Sequence, residues 1–392
     1  MMLAELSRCQ SITEASERLF LSKAAVTSAL KEVETRLSCT LFTRSNRGIN
    51  LTAQGEIFSA RCRRAENQLR GFQRFALGNS RTRLLPRRLS DSQLRALIEV
   101  TRYQNYSLAA HHTGLAQPTL HRSIRELEDL LGQALFRRSG RGVEATAVAR
   151  KLSRLANLAY AEIQQGIDEL QFDSGIKTGQ LRIGCLPMAR TDLLPESISN
   201  ILNDFPSARI SVVDGPYDEQ LGLLLQGELD LIIGALREPA PTPEIKQQAL
   251  FSDSLGVVVR AGHPYLMKKK LRLDQLAQLD WIAPRSGTPT RDIFEQLLGS
   301  TVANSGRQPI ECSSMVAIRG LLARTDRAVL ISIRQMRPEL ETGQVAVLPI
   351  RLPQSDRMIG YSTRQNWQPT PLQQHFLAIL PCQEPACVIP KL

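Results

Sequence analysis

Two groups of polar side chains in this 392-residue chain could act on the same kind of partner. Lys23, Thr27, Ser28 and Lys31 share one face of a helical stretch, and Gln117, His121, Arg122 and Arg125 share the same face of another. Arginine pairs follow each group, Arg44 and Arg47 after the first and Arg138 and Arg141 after the second. Lys, Arg, Gln, Ser and His on an exposed helix supply donors for base edges in a DNA groove. Arginines on a neighbouring hairpin supply cations for phosphates. For one group alone, a solvated amphipathic helix would be the better reading. Two groups in the same setting favour DNA.

The setting is a repeat. Leu41-Phe42-Thr43-Arg44-Ser45-Asn46-Arg47-Gly48 returns as Leu135-Phe136-Arg137-Arg138-Ser139-Gly140-Arg141-Gly142, at an offset of 136 − 42 = 94. With that offset and no gap, residues 3–52 lie over residues 97–146, so a small domain is duplicated. Each copy reads as helix, turn, helix and basic hairpin. Ser22 stands where an N-cap opens the second helix of the first copy. Behind it Val26, Leu30, Val33 and Leu37 recur at helical spacing, as do Leu120, Ile124, Leu127 and Leu131 in the second copy, so the polar groups point outward. Pro118 suits a first helical turn, where its missing N–H costs nothing.

Charge follows the repeat. Net charge is +11, and residues 1–177 hold 27 basic and 17 acidic side chains, so +10, leaving 22 − 21 = +1 for the rest. A positive field confined to one half is the salt-sensitive part of nucleic-acid affinity. No apolar run approaches membrane-spanning length, and Glu5, Ser7, Arg8 and Gln10 interrupt any leader-like segment, so a cytoplasmic protein with no membrane partner is expected. The seven cysteines are scattered; Cys382 and Cys387 lack the spacing and the His partner of a zinc site, so neither metal nor cofactor is expected. An enzyme is not expected either. There is no Ser-His-Asp arrangement, no Gly-rich phosphate loop and no acidic pair with ligand spacing, and His111, His112, His121, His263 and His375 are dispersed.

Composition divides the chain into a first reader at 1–55, a helix and basic linker at 56–90, a second reader at 91–146, a linker helix at 147–176 and an effector-binding region at 177–385 in two lobes. Gly78-Asn79-Ser80-Arg81-Thr82-Arg83, continuing to Pro86-Arg87-Arg88, separates the copies. In the linker helix, Val148, Leu152, Leu155, Ala159, Ile163, Ile167 and Leu170 form a stripe that suits a seam between two chains or packing within its own chain, and the first is favoured because paired readers need a fixed spacing. From Gly179 strands alternate with helices, which predicts a parallel sheet with right-handed crossovers, and two such lobes form a cleft. Three loops there precede helices. Pro187, Met188, Arg190 and Thr191 lie in one, Ser286, Thr288 and Arg291 in the next, and Ser313 with Ser314 in the third. Their backbone N–H groups could receive a carboxylate or sugar hydroxyls, with Arg190 or Arg291 as counter-charge. The plainer alternative makes the hydroxyls helix caps and the arginines solvated.

The winged helix-turn-helix, the hairpin motif, the linker helix and Gly227-Glu228-Leu229-Asp230-Leu231-Ile232-Ile233-Gly234 together resemble a LysR-type transcriptional regulator over nearly the whole chain. The resemblance implies a multidomain α/β protein: two tandem all-α winged helix-turn-helix domains, a linker helix, and a two-lobed, periplasmic-binding-protein-like α/β sensor domain. It implies promoter DNA and a small-molecule effector as partners, with RNA polymerase beside them, and a homodimer or homotetramer. The string Ser286-Gly287-Thr288-Pro289-Thr290-Arg291 resembles the inducer-cleft segment of the branch that regulates sugar or aromatic-acid catabolism. The usual member has one reader. Here the second copy keeps Gln117-Pro118 and the first reads Lys23-Ala24, so the first copy either contacts DNA or has become a packing module. A ligand-independent architectural DNA binder is the alternative function.

Overall fold

The computed structural model describes residues 2–45, 48–77, 89–140, 142–268, 270–304 and 306–380. The segment 78–88 expected between the readers, Arg47, Arg141 and the chain beyond 380, with Cys382 and Cys387, lie outside the described residues.

The first unit contains α1 (Met2–Cys9), α2 (Ile12–Leu19), α3 (Lys23–Leu37), β1 (Phe42–Ser45) and β2 (Gly48–Leu51), and runs into a long helix, α4 (Ala53–Leu77). The second contains α5 (Asp91–Tyr103), α6 (Tyr106–Thr113), α7 (Gln117–Leu131), β3 (Phe136–Ser139) and β4 (Gly142–Ala145), and runs into α8 (Ala147–Asp173). Local chemistry sets these boundaries. Ser11 and Ser22 accept from Glu14 N and Ala25 N to open α2 and α3, and Asn105 accepts from Ser107 N and Leu108 N to open α6.

The same tertiary bonds recur in both units. Glu34 Oε1 accepts from Leu41 N (2.7 Å) and Phe42 N (3.1 Å), and Glu128 Oε1 accepts from Leu135 N (2.7 Å) and Phe136 N (3.3 Å), tying each second helix to its hairpin. Ile49 N donates to Gln10 O (3.0 Å) and Val143 N to Gln104 O (2.9 Å), tying each hairpin back to the chain before the first of the paired helices. At that contact Gly48 and Gly142 have φ of +131° and +143°, and a Cβ on either would stand 2.4 Å from the carbonyl oxygen it faces. Only glycine fits there.

The remainder carries a nine-stranded sheet around β5 (Thr178–Cys185), β6 (Ser207–Asp214), β7 (Leu231–Ala235), β8 (Ile245–Arg260), β9 (Asp280–Ala283), β10 (Ile310–Glu311), β11 (Arg327–Ser332), β12 (Val345–Val347) and β13 (Asp356–Arg364). Its helices include α9 (Leu193–Asp204), α10 (Tyr217–Gln226), α11 (Pro289–Phe294), α12 (Met315–Arg324) and α13 (Pro371–Ile379). The strand order is β10-β9-β11-β8-β13-β7-β5-β6, with β12 on β8. The expected parallel pairing holds within each lobe, and the crossing strands depart from it. β5 is parallel to β6 and β7, and β9 to β10 and β11, but β13 runs antiparallel to β7 and β8, and β11 antiparallel to β8. The reason is β8, whose first half pairs with β13 in one lobe and whose second half pairs with β11 and β12 in the other. The chain crosses between lobes along β8 and returns along β13, and the return stroke must reverse direction. Separate cores, around Leu181, Ile201 and Phe376 and around Trp281, Phe294 and Leu330, make the two lobes.

Candidate functional site

Both reading helices expose the polar face expected of them. In α3 Val26 and Leu30 are buried, while Lys23, Ser28 and Lys31 face solvent and Thr27 is half-buried with its hydroxyl donating to Lys23 O. In α7 Leu120, Ile124, Leu127 and Leu131 are buried, and Gln117, Pro118, Arg122 and Arg125 are exposed. The α7 face is the more ordered by contacts of its own. His121 stacks on Tyr106 with ring centroids 3.7 Å apart, Gln117 Oε1 accepts from Ser107 Oγ (3.1 Å), and Arg122 pairs with Glu126 (2.8 Å). Burial against Tyr106, reinforced by the Arg125 charge, pushes the His121 pKa down and favours the neutral ring. Arg44 and Arg138 occupy corresponding exposed sites on β1 and β3.

The apolar stripe of α8 does not wait for another chain. Leu152, Leu155 and Ala159 are buried in the core of the second unit and Leu170 in that of the first. Its other neighbour is α4, which runs antiparallel along it. Gln54 Nε2 donates to Ser174 Oγ (3.4 Å) at one end, and Phe58 and Arg61 pack on Gly166, where a Cβ would come within 2.9 Å of the Phe58 ring. Arg61, nearly fully buried, donates to Glu162 (2.9 Å), Gln165 (2.8 Å) and Glu169, and Arg64 donates twice to Glu162 at 2.8 Å. The favoured expectation of a seam between chains thus gives way to packing within the chain, because α4 already covers the stripe. Nothing in the local sequence marks Arg61, whose acidic partners stand about a hundred residues away.

Sensor and helix pair are joined by polar contacts. Arg61 Nη2 donates to Gln368 O (3.0 Å), Arg64 Nη2 to Asn366 O (2.6 Å), and Arg154 to Leu225 O (3.0 Å) and Glu244 (2.7 Å). Arg102 of the second unit reaches Glu228 at 2.7 Å.

Between the lobes the expected residues divide by role. Thr288 and Ser314 are N-caps, accepting from Arg291 N (3.2 Å) and Ala317 N (3.4 Å). Ser286 donates to Glu311, Ser313 is exposed, Pro187 and Thr191 flank the short turn after β5, and Met188 is buried in the core of the first lobe. The two arginines expected as counter-charge are occupied. Arg190 donates to Cys185 O and pairs with Asp214 at 3.2 Å, and Arg291 binds Pro284 O (2.9 Å), Glu295 (2.5 Å) and Glu311 (3.3 Å). Nearby carboxylates and carbonyls hold both side chains. The cations that the fold brings to the crossing strands are Arg357 and Arg237. Arg357 lies in register with Asp253, a buried carboxylate that it contacts at 3.0 Å and that also accepts from Ser332 at the end of β11 (2.7 Å). Arg357 Nη1 also donates to Thr290 of the other lobe (2.6 Å). Arg237, just past β7, lies over the Tyr217 ring at 4.5 Å, and its buried Nη1 has no hydrogen-bond partner among the described residues. Burial lowers the Arg237 pKa, with the nearby positive charge of Arg357 adding to the effect. Nothing local in the sequence marks either arginine, since strand pairing alone brings them to the cleft.

Among the described residues no helix is long and apolar enough to cross a membrane, and no group of three His, Cys, Asp or Glu side chains is placed to hold a metal ion.

Comparison with known proteins agrees with this geometry. The model for the LysR substrate binding domain matches residues 174–383, and that for the bacterial regulatory helix-turn-helix protein, lysR family, matches twice, at 1–56 and 92–150. The HTH-type transcriptional regulator GalR of Pseudomonas putida is 28% identical over 94% of this chain and 92% of its own length. The regulator PcaQ of Agrobacterium fabrum is 26% identical over 73% of this chain and 92% of PcaQ. In fold, the chain is similar to a full-length OxyR variant from Pseudomonas aeruginosa, with a TM-score of 0.53 and 22% identity, over 74% of this chain and 96% of that one.

Proposed function

Because the chain belongs to the LysR family of bacterial transcriptional regulators, which are DNA-binding proteins with an effector-binding domain rather than enzymes, we propose that it grips promoter DNA with both of its readers. The observation that carries this is the presence of two helix-turn-helix units, each with a buried apolar face and an exposed face of donors and cations. Lys23, Thr27, Ser28, Lys31 and Arg44 act in the first unit, and Gln117, Pro118, His121, Arg122, Arg125 and Arg138 in the second. Arg122 and Arg125 have the reach for guanine edges, whereas Arg44 and Arg138 on the hairpins serve phosphates. The exposed cations of α3 favour DNA contact over a packing role for the first unit.

The sensor half is a two-lobed module of periplasmic-binding-protein type, and its effector is a small molecule bearing a carboxylate. Arg237 supplies the counter-charge, Arg357 being held by Asp253, and the N-caps Thr288 and Ser314 bring helix N-termini to the same side. Sugar acids and aromatic acids fit that description. The assembly in the cytoplasm is a homodimer or homotetramer acting beside RNA polymerase.

Footprinting on the gene's own upstream region tests the reading. The wild type is expected to protect two segments, Arg122→Ala to lose one, and a Lys23→Ala/Ser28→Ala double variant to lose the other. Loss confined to Arg122→Ala would make the first unit a packing module. Protection without sequence preference in salt-matched competition would point to an architectural binder.

A further inference from the structure

The two long helices that follow the hairpins, α4 and α8, start at equivalent positions, since Ala53 plus the offset of 94 is Ala147. Their packing respects the same equivalence. Phe58 lies against Gly166; the counterparts of these residues are Leu152 and Phe72, and Leu152 and Phe72 are buried together in one core. Each reader is closed by both helices. Phe58 and Cys62 of α4 and Leu170 of α8 complete the first reader's core, while Leu152 and Ala156 of α8 and Leu69 and Phe72 of α4 complete the second's. Phe58 and Leu152 are counterparts, and so are Cys62 and Ala156. Exchanging the two halves reproduces the arrangement, which is the property of a local two-fold axis.

An antiparallel pair puts the two readers at opposite ends. At about 1.5 Å per residue, the 25 residues of α4 span about 37 Å. B-form DNA presents successive major grooves on one side about 34–36 Å apart. The reading faces are set at equivalent positions but differ in chemistry at every one. Lys23 faces the role of Gln117, Thr27 that of His121, Ser28 that of Arg122, and Lys31 that of Arg125.

We propose that one chain is a complete two-reader unit, and that its operator element is a pair of unlike half-sites about one turn apart, one read by α3 and the other by α7. This rests on the regulator reading above. The α4–α8 seam holds the pair, so a second copy of the chain is not needed to form it. The α7 half-site carries the sharper base preference, because Arg and Gln make bidentate contacts that Ser and Thr do not.

The test is selection of bound duplexes from a random pool by the purified full-length protein, repeated with Arg122→Ala and with Lys23→Ala/Ser28→Ala. Both variants alter exposed side chains only. The expected motif has two different halves with centres about 10–11 base pairs apart. Arg122→Ala relaxes one half and the double variant the other. Inserting five base pairs turns one half-site to the far side of the duplex, and affinity falls about a hundredfold. Two identical halves, both relaxed by the same variant, would mean that two chains each lend the same reader, and would overturn the proposal while leaving the regulator reading intact. Unchanged affinity after the insertion would overturn it equally. A pool with no enriched sequence would overturn the regulator reading first, and the proposal with it.

Discussion

At the scale of single residues, the two arginines of the second reader are expected to differ in what they control. On the proposed reading Arg138 of β3 contacts a phosphate, so Arg138→Ala should weaken binding to all sequences alike and flatten the dependence of log K on log salt by about one. Arg122→Ala should instead narrow the gap between specific and competitor DNA. Affinity titrations across a salt series separate the two effects. In the sensor, a buried guanidinium nitrogen of Arg237 has no hydrogen-bond partner among the described residues, and a carboxylate ligand would supply one. A panel of small carboxylates should include one that raises the melting temperature of the wild type, and Arg237→Met should abolish that rise; persistence of the shift would remove Arg237 from the site. The exposed polar faces of α3 and α7 were legible in the sequence because helical spacing and a repeat register both mark them. Arg237 and Arg357 were not, because they meet only after β7, β8 and β13 pair, and Arg190 and Arg291, which the loops suggested, are taken up by nearby carboxylates.

At the scale of elements, the seam between α4 and α8 rests on a buried cation with several acidic or amide partners. Removing Arg61 leaves Glu162 with only Arg64 and strands Glu169, so Arg61→Met should cost about 3–5 kcal/mol. Denaturant unfolding of the full chain measures this, and a loss below about 1 kcal/mol would mean that solvent reaches the cluster. The long helix α8 could be read from its periodicity, and the wings from the repeated basic motif. What periodicity could not supply was the partner of the α8 stripe. An apolar face looks the same whether its cover comes from the same chain or another, and the reversal of β13 was hidden likewise, since a short apolar run carries no direction. The two 94-residue-offset units were plain because sixteen of fifty aligned positions coincide by direct comparison of residues 3–52 with 97–146.

At the scale of the whole molecule, a single sensor half leans on a pair of readers. Arg154 of α8 clamps Glu244 at the start of β8, and its guanidinium holds the Glu244 carboxyl below the ordinary value of 4.5. A carboxylate with a lowered folded pKa contributes stability above its unfolded value and loses it as the pH falls through the folded one. The melting temperature of Glu244→Gln should therefore lie below the wild type at neutral pH, with the gap closing below about pH 4.5. A gap independent of pH would assign the effect to packing. The seam has one more consequence. An interface between separate chains has a dissociation constant and comes apart on dilution, but one closed inside a single polypeptide has none. A cell holding only a few copies of this protein still holds every one of them with its two readers assembled, whatever contacts form between chains.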